Sequence, residues 1–326
     1  MRRRDLIAGL LVGTTIPWAS VAQQHAARAP RIGWLSPYST AEQDNLEEYR
    51  RGMHALGYVE GRTVETEYLY ADGHIDRLPD LAAALVAHKV DVIVTVSTPG
   101  SLAAKKATAI IPIVFVASSD PISTGIVASL ARPGGNITGF SLMAADLSAK
   151  RLELLQILLQ PLGRIAVLWD VSNPGMVLRV RETRLAAEQL KIAFYDAGAR
   201  DLDGLEASFA TLSEQRPDAV LVTTEPFTAR YLDRIIAFLS VRHFPAMFED
   251  DWPVRAGGLI SYGPSIPALY YRTATFVDRI LKGTNPSDLP VEQPTTFKLV
   301  INLKTAKALG IEIPPMLLAR ADEVIE

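Results

Sequence analysis

The chain has 326 residues, of which 48% are apolar and 21% are charged, and its formal net charge is −3. This length suits two domains of ordinary size, and the charge balance gives no basic footprint for nucleic acid. The sequence has no cysteine, which excludes disulfides, thiolate metal ligands, a cysteine nucleophile and a lipid-modified N-terminal cysteine.

Residues 1–22 predict a secretory signal peptide. Arg2-Arg3-Arg4 forms a positive start, Leu6 to Ile16 an apolar stretch, and Ser20-Val21-Ala22 a small-residue site for cleavage after Ala22. The pair Arg3-Arg4 also fits a loose twin-arginine pattern, so either the Sec or the twin-arginine route is open. An uncleaved anchor is the alternative, but the apolar stretch is short for a membrane span. We therefore expect a periplasmic protein without a direct membrane anchor, beginning with a flexible segment at 23–30.

Strands and helices alternate from Arg31 onward. In the first half, apolar runs at 32–35, 64–69, 90–96, 111–117 and 137–140 predict strands, and the segments between them predict helices, including one before the turn at 133–136. The pattern restarts after residue 140, with strands expected at 165–169, 192–195, 219–223 and 244–248, and a further strand at 257–263 opens the C-terminal part of the chain. Two such sets imply an α/β protein with two doubly wound, Rossmann-like lobes.

The C-terminal part of the chain is a long addition to these two sets. A helix at 266–281, a Pro/Gly/Asn-rich turn region at 282–294 and a β-like segment at 296–303 suggest that the chain passes back between the lobes. Several crossings would make a multi-strand hinge. The expected division is residues 31–140 plus about 263–288 for the first lobe, and 141–262 plus about 289–326 for the second.

Polar residues cluster where the predicted strands end. In doubly wound sheets, ligands bind beyond the carboxyl ends of the strands. Hydroxyls and helix N-termini there suit a ligand carboxylate, acids suit an ammonium group, and an aromatic ring can stack. The resulting candidate ligand-binding residues are Ser36, Ser97, Thr98, Ser118, Ser119, Asp120, Asn173, Thr224, Glu225, Glu249 and Tyr262. The alternative is that they cap helices, lie on solvated loops or pack in the core.

No catalytic or metal-binding constellation assembles in the sequence. The five histidines are scattered without metal-ligand spacing, and neither a Gly-x-Ser-x-Gly elbow nor a phosphate-binding Gly-x-x-x-x-Gly-Lys loop occurs. We therefore predict a binding protein without catalytic residues, metal or cofactor.

Several longer motifs carry a family resemblance. They are LGYVEGRTVETEY (56–68), DRLPDLAAALV (76–86), IPIVFVASSDPISTGIVASLARPGGNITG (111–139), AKRLELL (149–155), AGGLISYG (256–263) and KLVINLKTAKALGIEIPPMLLARADEVIE (298–326). With them, the chain from Arg31 to Glu326 resembles the tryptophan-binding-protein-like (TrpX-like) substrate-binding proteins of ABC transporters. The resemblance implies a type I periplasmic-binding-protein fold that delivers a small solute to an ABC permease with a cytoplasmic ATPase.

The resemblance also implies roles for particular residues. Ser97 and Thr98 correspond to hydrogen-bond donors for a ligand carboxylate, with Ser118 to Asp120 beside them. The second lobe would contribute Asn173, Thr224, Glu225 and Glu249. Characterised relatives are linked with aromatic amino acids, so the expected solute is an aromatic or branched-chain amino acid or a related carboxylate.

Two other functional classes stay open at this point. A ligand-sensing subunit for a membrane receptor would use the same two lobes, and neighbouring permease and ATPase genes would distinguish transport from signalling. An exported enzyme on a two-lobed α/β scaffold is the third class, and it would need a nucleophile–base pair or a metal cluster in the cleft.

Overall fold

The first sheet is built from apolar strands that helices cover on both faces. The computed structural model of the protein describes residues 28–39, 44–142 and 147–326, so the predicted signal peptide lies outside the described residues. Five parallel strands form this sheet in the order β2-β1-β3-β4-β5. They are β1 (Arg31–Ser36), β2 (Glu65–Tyr70), β3 (Val92–Val96), β4 (Ile113–Ser118) and β5 (Ile137–Ser141).

The helices of the first lobe pack in two layers. Helices α1 (Asp44–Ala55) and α10 (Ile266–Leu281) cover one face, and α2 (Leu78–Ala87) and α3 (Ser97–Ala107) cover the other. Alternate residues of β3 serve the two layers: Val94 packs toward α1 and α10, whereas Ile93 packs toward α2 and α3. A strand that is buried on both faces is expected to be mostly apolar, and in the sequence VIVTV only Thr95 carries a polar side chain.

The second sheet has seven strands in the order β12-β11-β10-β9-β8-β6-β7. All neighbours are parallel except β10 and β11. The strands are β6 (Arg164–Asp170), β7 (Ala193–Ala199), β8 (Ala219–Val222), β9 (Ala246–Phe248), β10 (Ile260–Pro264), β11 (Phe297–Asn302) and β12 (Glu323–Ile325). The helices are α4 (Ser148–Leu158), α5 (Pro174–Gln189), α6 (Leu202–Gln215), α7 (Pro226–Arg230), α8 (Leu232–Val241), α9 (Trp252–Arg255), α11 (Leu303–Ala308) and α12 (Pro315–Leu318).

The chain crosses between the lobes in segments that run side by side. After β5 the chain leaves the first lobe, after β10 it returns to place α10 there, and it crosses again before β11. The amide of Ser141 donates to the carbonyl of Glu292 over 2.9 Å, and the amide of Ser265 donates to the carbonyl of Thr296 over 3.0 Å. The predicted fold class, two doubly wound α/β lobes with a multi-strand hinge, is confirmed.

The prediction of a helix before the turn at 133–136 is wrong. The segment after Ser118 forms successive turns, with the amide of Gly125 bonded to the carbonyl of Ile122 and the amide of Val127 to that of Pro121. Gly125 has φ +72°, which interrupts a right-handed helix. Ile126 and Val127 are both buried, so this apolar stretch contributes to the core without forming a helix.

None of the helices in the described ranges combines the length and the apolar character that crossing a membrane requires.

Candidate ligand-binding cleft

A cavity of about 230 Å³ lies between the two lobes, at the carboxyl ends of the strands of both sheets. Its wall combines hydroxyls, amides and acids with several apolar and aromatic side chains. The lining residues are Tyr38, Asn45, Val96, Ser97, Thr98, Ala117, Ser119, Leu142, Asn173, Met176, Thr224, Glu225, Pro226, Asp250, Trp252, Ile266 and Tyr270.

In the first lobe, the N-terminus of α3 forms part of the cavity wall. The helix begins directly after β3, because Ser97 takes a left-handed conformation with φ +64°. The Ser97 side chain is buried, and its Oγ has no hydrogen-bond partner within the described part of the chain. An unpaired buried hydroxyl is costly, and Ser97 lines the cavity.

Thr98 links α3 to the end of β4. Its Oγ1 lies 3.2 Å from Ser118 Oγ and accepts from the amide of Ser119 over 3.1 Å. Ser118 is fully buried behind this contact and does not line the cavity, whereas Ser119 does. Thr98 therefore connects the segment that follows β3 to the end of β4.

In the second lobe, Asn173 and Glu225 hold the first turn of α5. Asn173 Oδ1 accepts from the amide of Gly175 over 3.0 Å, and its Nδ2 donates to Glu225 Oε2 over 3.1 Å. Glu225 Oε1 also accepts from the amide of Asp170 and from Thr223 Oγ1, over 2.6 and 2.7 Å. Burial, reinforced by the nearby Asp170 carboxyl, raises the pKa of Glu225 to about 8.

Two buried arginines enclose Glu249 next to the cavity. Arg151 Nη1 donates to Glu249 Oε1 over 2.9 Å, and Arg179 Nη1 donates to Glu249 Oε2. The amide of Thr224 also donates to Oε2 over 2.9 Å. Both carboxylate oxygens of Glu249 are thus occupied by groups of the protein.

The two lobes touch each other at the cavity. Arg179 of the second lobe donates from Nη2 to Ser119 Oγ of the first lobe over 2.5 Å. Gly175 lies so close to Thr98 that a Cβ at position 175 would come within 2.5 Å of Thr98 Oγ1. Arg230 reaches across to His74 with an Nη1–Nδ1 distance of 3.2 Å. These contacts define a closed arrangement.

The cavity brings together part of the predicted set: Ser97, Thr98, Ser119, Asn173, Thr224 and Glu225. The others lie outside its lining. Ser36 borders a small neighbouring cavity, Asp120 accepts from the amide of Ser123, Ser118 and Glu249 lie behind the wall, and Tyr262 stacks on Phe297. A ligand contact of any of these residues stays a prediction.

Several other groups of the site were not among the predicted ligand-binding residues. Met176 follows from α5 once its N-terminus is placed in the cleft, and Asp250 and Trp252 follow the end of β9. No sequence pattern points to Arg151 and Arg179 as residues of the site. They lie within helices, and only the folded chain brings them to Glu249.

No cluster of His, Asp and Glu suited to holding a metal ion occurs within residues 28–39, 44–142 and 147–326.

Comparison with known proteins defines the class. The family model described as ABC transporter substrate binding protein matches residues 41–325, and the chain belongs to this family. It is a substrate-binding protein of the ABC-transporter type, with the fold of type I periplasmic binding proteins.

Similar proteins include one from Clostridioides difficile (strain R20291), a tyrosine-binding protein 25% identical over 276 residues, covering 83% of this chain and 79% of that protein. A solved ABC domain from Streptococcus pneumonia, in complex with L-Trp, is 26% identical with a TM-score of 0.86, covering 91% and 99% of the two chains. A ligand-free, open structure of a Clostridium difficile substrate-binding protein with adhesive properties is 25% identical with a TM-score of 0.65, covering 91% and 99%.

Proposed function

We propose that this substrate-binding protein captures an amino acid with an aromatic or branched apolar side chain. The observation that carries the proposal is a pair of unpaired hydroxyls on opposite walls of the cavity. Ser97 Oγ comes from the first lobe and Thr224 Oγ1 from the second, and neither has a hydrogen-bond partner among the described residues. A ligand that bonds both hydroxyls stabilises the closed arrangement, because only there do they face one space.

The remaining wall fits the two parts of such a ligand. The N-termini of α3 and α5 approach each other there and favour a carboxylate. Apolar surface from Met176, Trp252 and Ile266 suits the side chain. The L-Trp and tyrosine ligands named for the two relatives support the same class of solute.

We further propose that the closed protein hands its ligand to a membrane permease driven by a cytoplasmic ATPase, without catalysing a reaction. Family membership supports this role. The basic and apolar pattern of residues 1–22 supports export through a cleaved signal peptide and a periplasmic location. We also propose lobe boundaries near residues 140, 263 and 292, the last slightly later than the expected 289, because α10, Leu289 and Val291 pack in the first lobe while β10 and β11 belong to the second sheet.

A thermal-shift screen of residues 23–326 tests the ligand class. The panel holds the twenty amino acids, small carboxylates, purines and sugars. A ligand of the folded state raises stability by about 2.7 kcal/mol at a hundredfold excess over Kd. We expect Tm increases for aromatic or branched-chain amino acids. Increases confined to sugars or purines would contradict the proposal.

Calorimetric titration of the best amino acid then measures its affinity. Ser97→Ala should weaken this binding, whereas Ser208→Ala should not. Ser208 is a matched control, because its buried hydroxyl donates to the carbonyl of Gly198, outside the cavity lining.

A further inference from the structure

Two acids, Glu225 and Asp250, line the cavity within the described part of the chain. An amino acid brings a positive ammonium group into this space. A buried cation needs a negative partner with a free oxygen. The choice between acids therefore depends on which carboxylate still has an oxygen to offer.

Glu225 has little capacity left for a ligand. Its Oε1 accepts from Asp170 N and Thr223 Oγ1, and its Oε2 accepts from Asn173 Nδ2. These bonds hold the first turn of α5 and the ends of two strands. Moving the carboxylate toward a ligand would break them.

Glu249 is similarly engaged, although it lies close to the cavity. Its two oxygens accept from Arg151, Arg179 and the amide of Thr224. The two arginines more than balance its charge. An additional cation at Glu249 would meet both guanidinium groups.

Asp250 differs from both. It lines the cavity next to Trp252, and its carboxylate makes no hydrogen bond with any group in the described ranges. The segment after β9 thus offers an unengaged carboxylate and an aromatic ring two residues apart. Both groups favour a cation.

We propose that Asp250 is the residue that binds the ammonium group of the ligand, and that this contact makes capture depend on pH. The inference rests on the proposed amino-acid ligand. It assigns to Asp250 the role of counter-ion, a role that the sequence had given to Asp120, Glu225 and Glu249.

The surroundings of Asp250 determine the sign of the pH effect. Burial and the adjacent Glu249 raise the pKa of Asp250 to about 7, while Arg179 and Arg151 act against this increase and Asp251 adds to it. Glu225 lines the same cavity. An ammonium ligand requires the ionised carboxylate, so binding releases a proton when the solution is near or below this pKa. Affinity should rise as pH increases to about 7 and then level off.

The test compares amino acids with acids that lack only the amino group. L-Tryptophan, L-tyrosine, L-phenylalanine and L-leucine are titrated by calorimetry into residues 23–326. Their deamino analogues are indole-3-propionate, 3-(4-hydroxyphenyl)propionate, 3-phenylpropionate and 4-methylpentanoate. Titration in buffers of different ionisation enthalpy measures the protons released by the unmutated protein.

Two variants accompany the unmutated protein. Asp250→Asn removes the proposed counter-ion, and Asp251→Asn is the matched control. Asp251 is the next acid in the chain, lies outside the cavity lining and pairs with Arg255 on the surface. Melting curves of both variants establish that they are folded.

We expect Asp250→Asn to weaken amino-acid binding by about tenfold to a hundredfold, as for loss of a charged hydrogen bond. The deamino acids should bind the unmutated protein and Asp250→Asn with equal affinity. Asp251→Asn should bind the amino acids as the unmutated protein does. Proton release should accompany amino-acid binding to the unmutated protein at pH 6.5 and decrease toward pH 8.5. It should be lost at pH 6.5 in Asp250→Asn, which distinguishes Asp250 from Glu225 in the same cavity.

Three results would overturn the inference, and they are distinguishable. Unchanged amino-acid affinity in Asp250→Asn, or no proton release by the unmutated protein at pH 6.5, would remove Asp250 from this role and leave the proposed function standing. If the unmutated protein binds none of the four amino acids, the proposed ligand class itself fails, and the inference fails with it.

Discussion

At the level of single residues, hydroxyls in the cleft fall into two kinds. Thr98 and Ser119 have partners within the protein: Thr98 bonds within the first lobe, and the Ser119 hydroxyl accepts from Arg179 of the second lobe in the closed arrangement. Ser97 and Thr224 each present a buried hydroxyl that has no partner among the described residues. The first kind holds the wall in place, and the second kind is available for a ligand. This difference predicts opposite effects of removing them.

Thr224→Val should lower ligand affinity and leave the fold intact. Valine keeps the shape of the side chain and removes a hydroxyl that contributes no bond in the absence of ligand, so Tm should stay the same or rise slightly. Affinity should fall by about fivefold to tenfold, corresponding to about 1–1.4 kcal/mol. Calorimetry with the best ligand of the screen, together with melting curves, measures both quantities.

Thr183→Val is the contrasting control for this substitution. The buried Thr183 hydroxyl donates to the carbonyl of Arg179 over 2.8 Å and lies 2.9 Å from Ser148 Oγ, outside the cavity lining. Its loss should reduce stability while affinity stays within twofold. Equal affinities in Thr224→Val and the unmutated protein would show that the Thr224 hydroxyl does not bind the ligand.

The sequence predicted several residues that line the cleft, but not the buried arginines behind them. The rule that ligands bind beyond strand ends locates residues that lie shortly after predicted strands, namely Ser97, Thr98, Ser119, Asn173 and Thr224. Neither arginine could be found this way. Arg179 lies in the second turn of α5 and resembles any surface arginine of an amphipathic helix until the fold places Glu249 beside it, 70 residues further along the chain.

At the level of elements, Glu249 and its two arginines join α4, α5 and the end of β9. Arg151 also donates from Nε to the carbonyl of Tyr262, which adds β10 to the same network. Arg151 and Arg179 are only 1% and 2% exposed, so neither charge is screened well by water. Burial lowers the pKa of Arg151, and the Glu249 carboxylate opposes this decrease.

Glu249→Ala should destabilise the protein by about 3–5 kcal/mol, because it leaves buried positive charges without a counter-ion. Urea denaturation measures the loss in the free energy of unfolding. The matched control is Glu206→Ala, which breaks an exposed ion pair between Glu206 and Arg234. An exposed pair contributes about 0–1 kcal/mol. A loss of the same small size in both variants would contradict the supporting role of Glu249.

At the level of the whole molecule, the structure is closed around the cleft. Its TM-score is 0.86 with the L-Trp complex and 0.65 with the open, ligand-free relative. Among the described residues, contacts between the lobes at the cleft include Arg179 with Ser119, Gly175 with Thr98, and Arg230 with His74. A ligand that bridges the lobes therefore has a large share in determining whether the closed form dominates.

Sequence could indicate two lobes and a hinge, but it could not indicate how closely the lobes approach. Gly175 illustrates the difference. In the sequence it is a residue of the first turn of a predicted helix, next to Pro174, and any small residue would serve there. The absence of a Cβ matters only in the closed molecule, because Thr98 of the other lobe occupies the space where the Cβ would lie.

Gly175→Ala should act on closure alone. Alanine suits a helix better than glycine does, so the second lobe should be at least as stable as before. In the closed form, however, the added Cβ would lie 2.5 Å from Thr98 Oγ1 and 2.9 Å from Thr98 Cβ. Relieving this overlap costs about 1–3 kcal/mol, so affinity should fall about tenfold. Small-angle scattering with ligand should show a less compact molecule than the unmutated protein.

Gly204→Ala provides the comparison, since Gly204 also lies in the first turn of a second-lobe helix. Its nearest neighbour would be Asp201 Oδ1 at 3.2 Å, within the same lobe. This variant should bind and close as the unmutated protein does. If Gly175→Ala also closes normally and binds with unchanged affinity, the approach of α5 to α3 is not what limits closure. The lobes would then have to meet with enough freedom to accommodate a methyl group, and the selectivity of the cleft would reside in its lining alone.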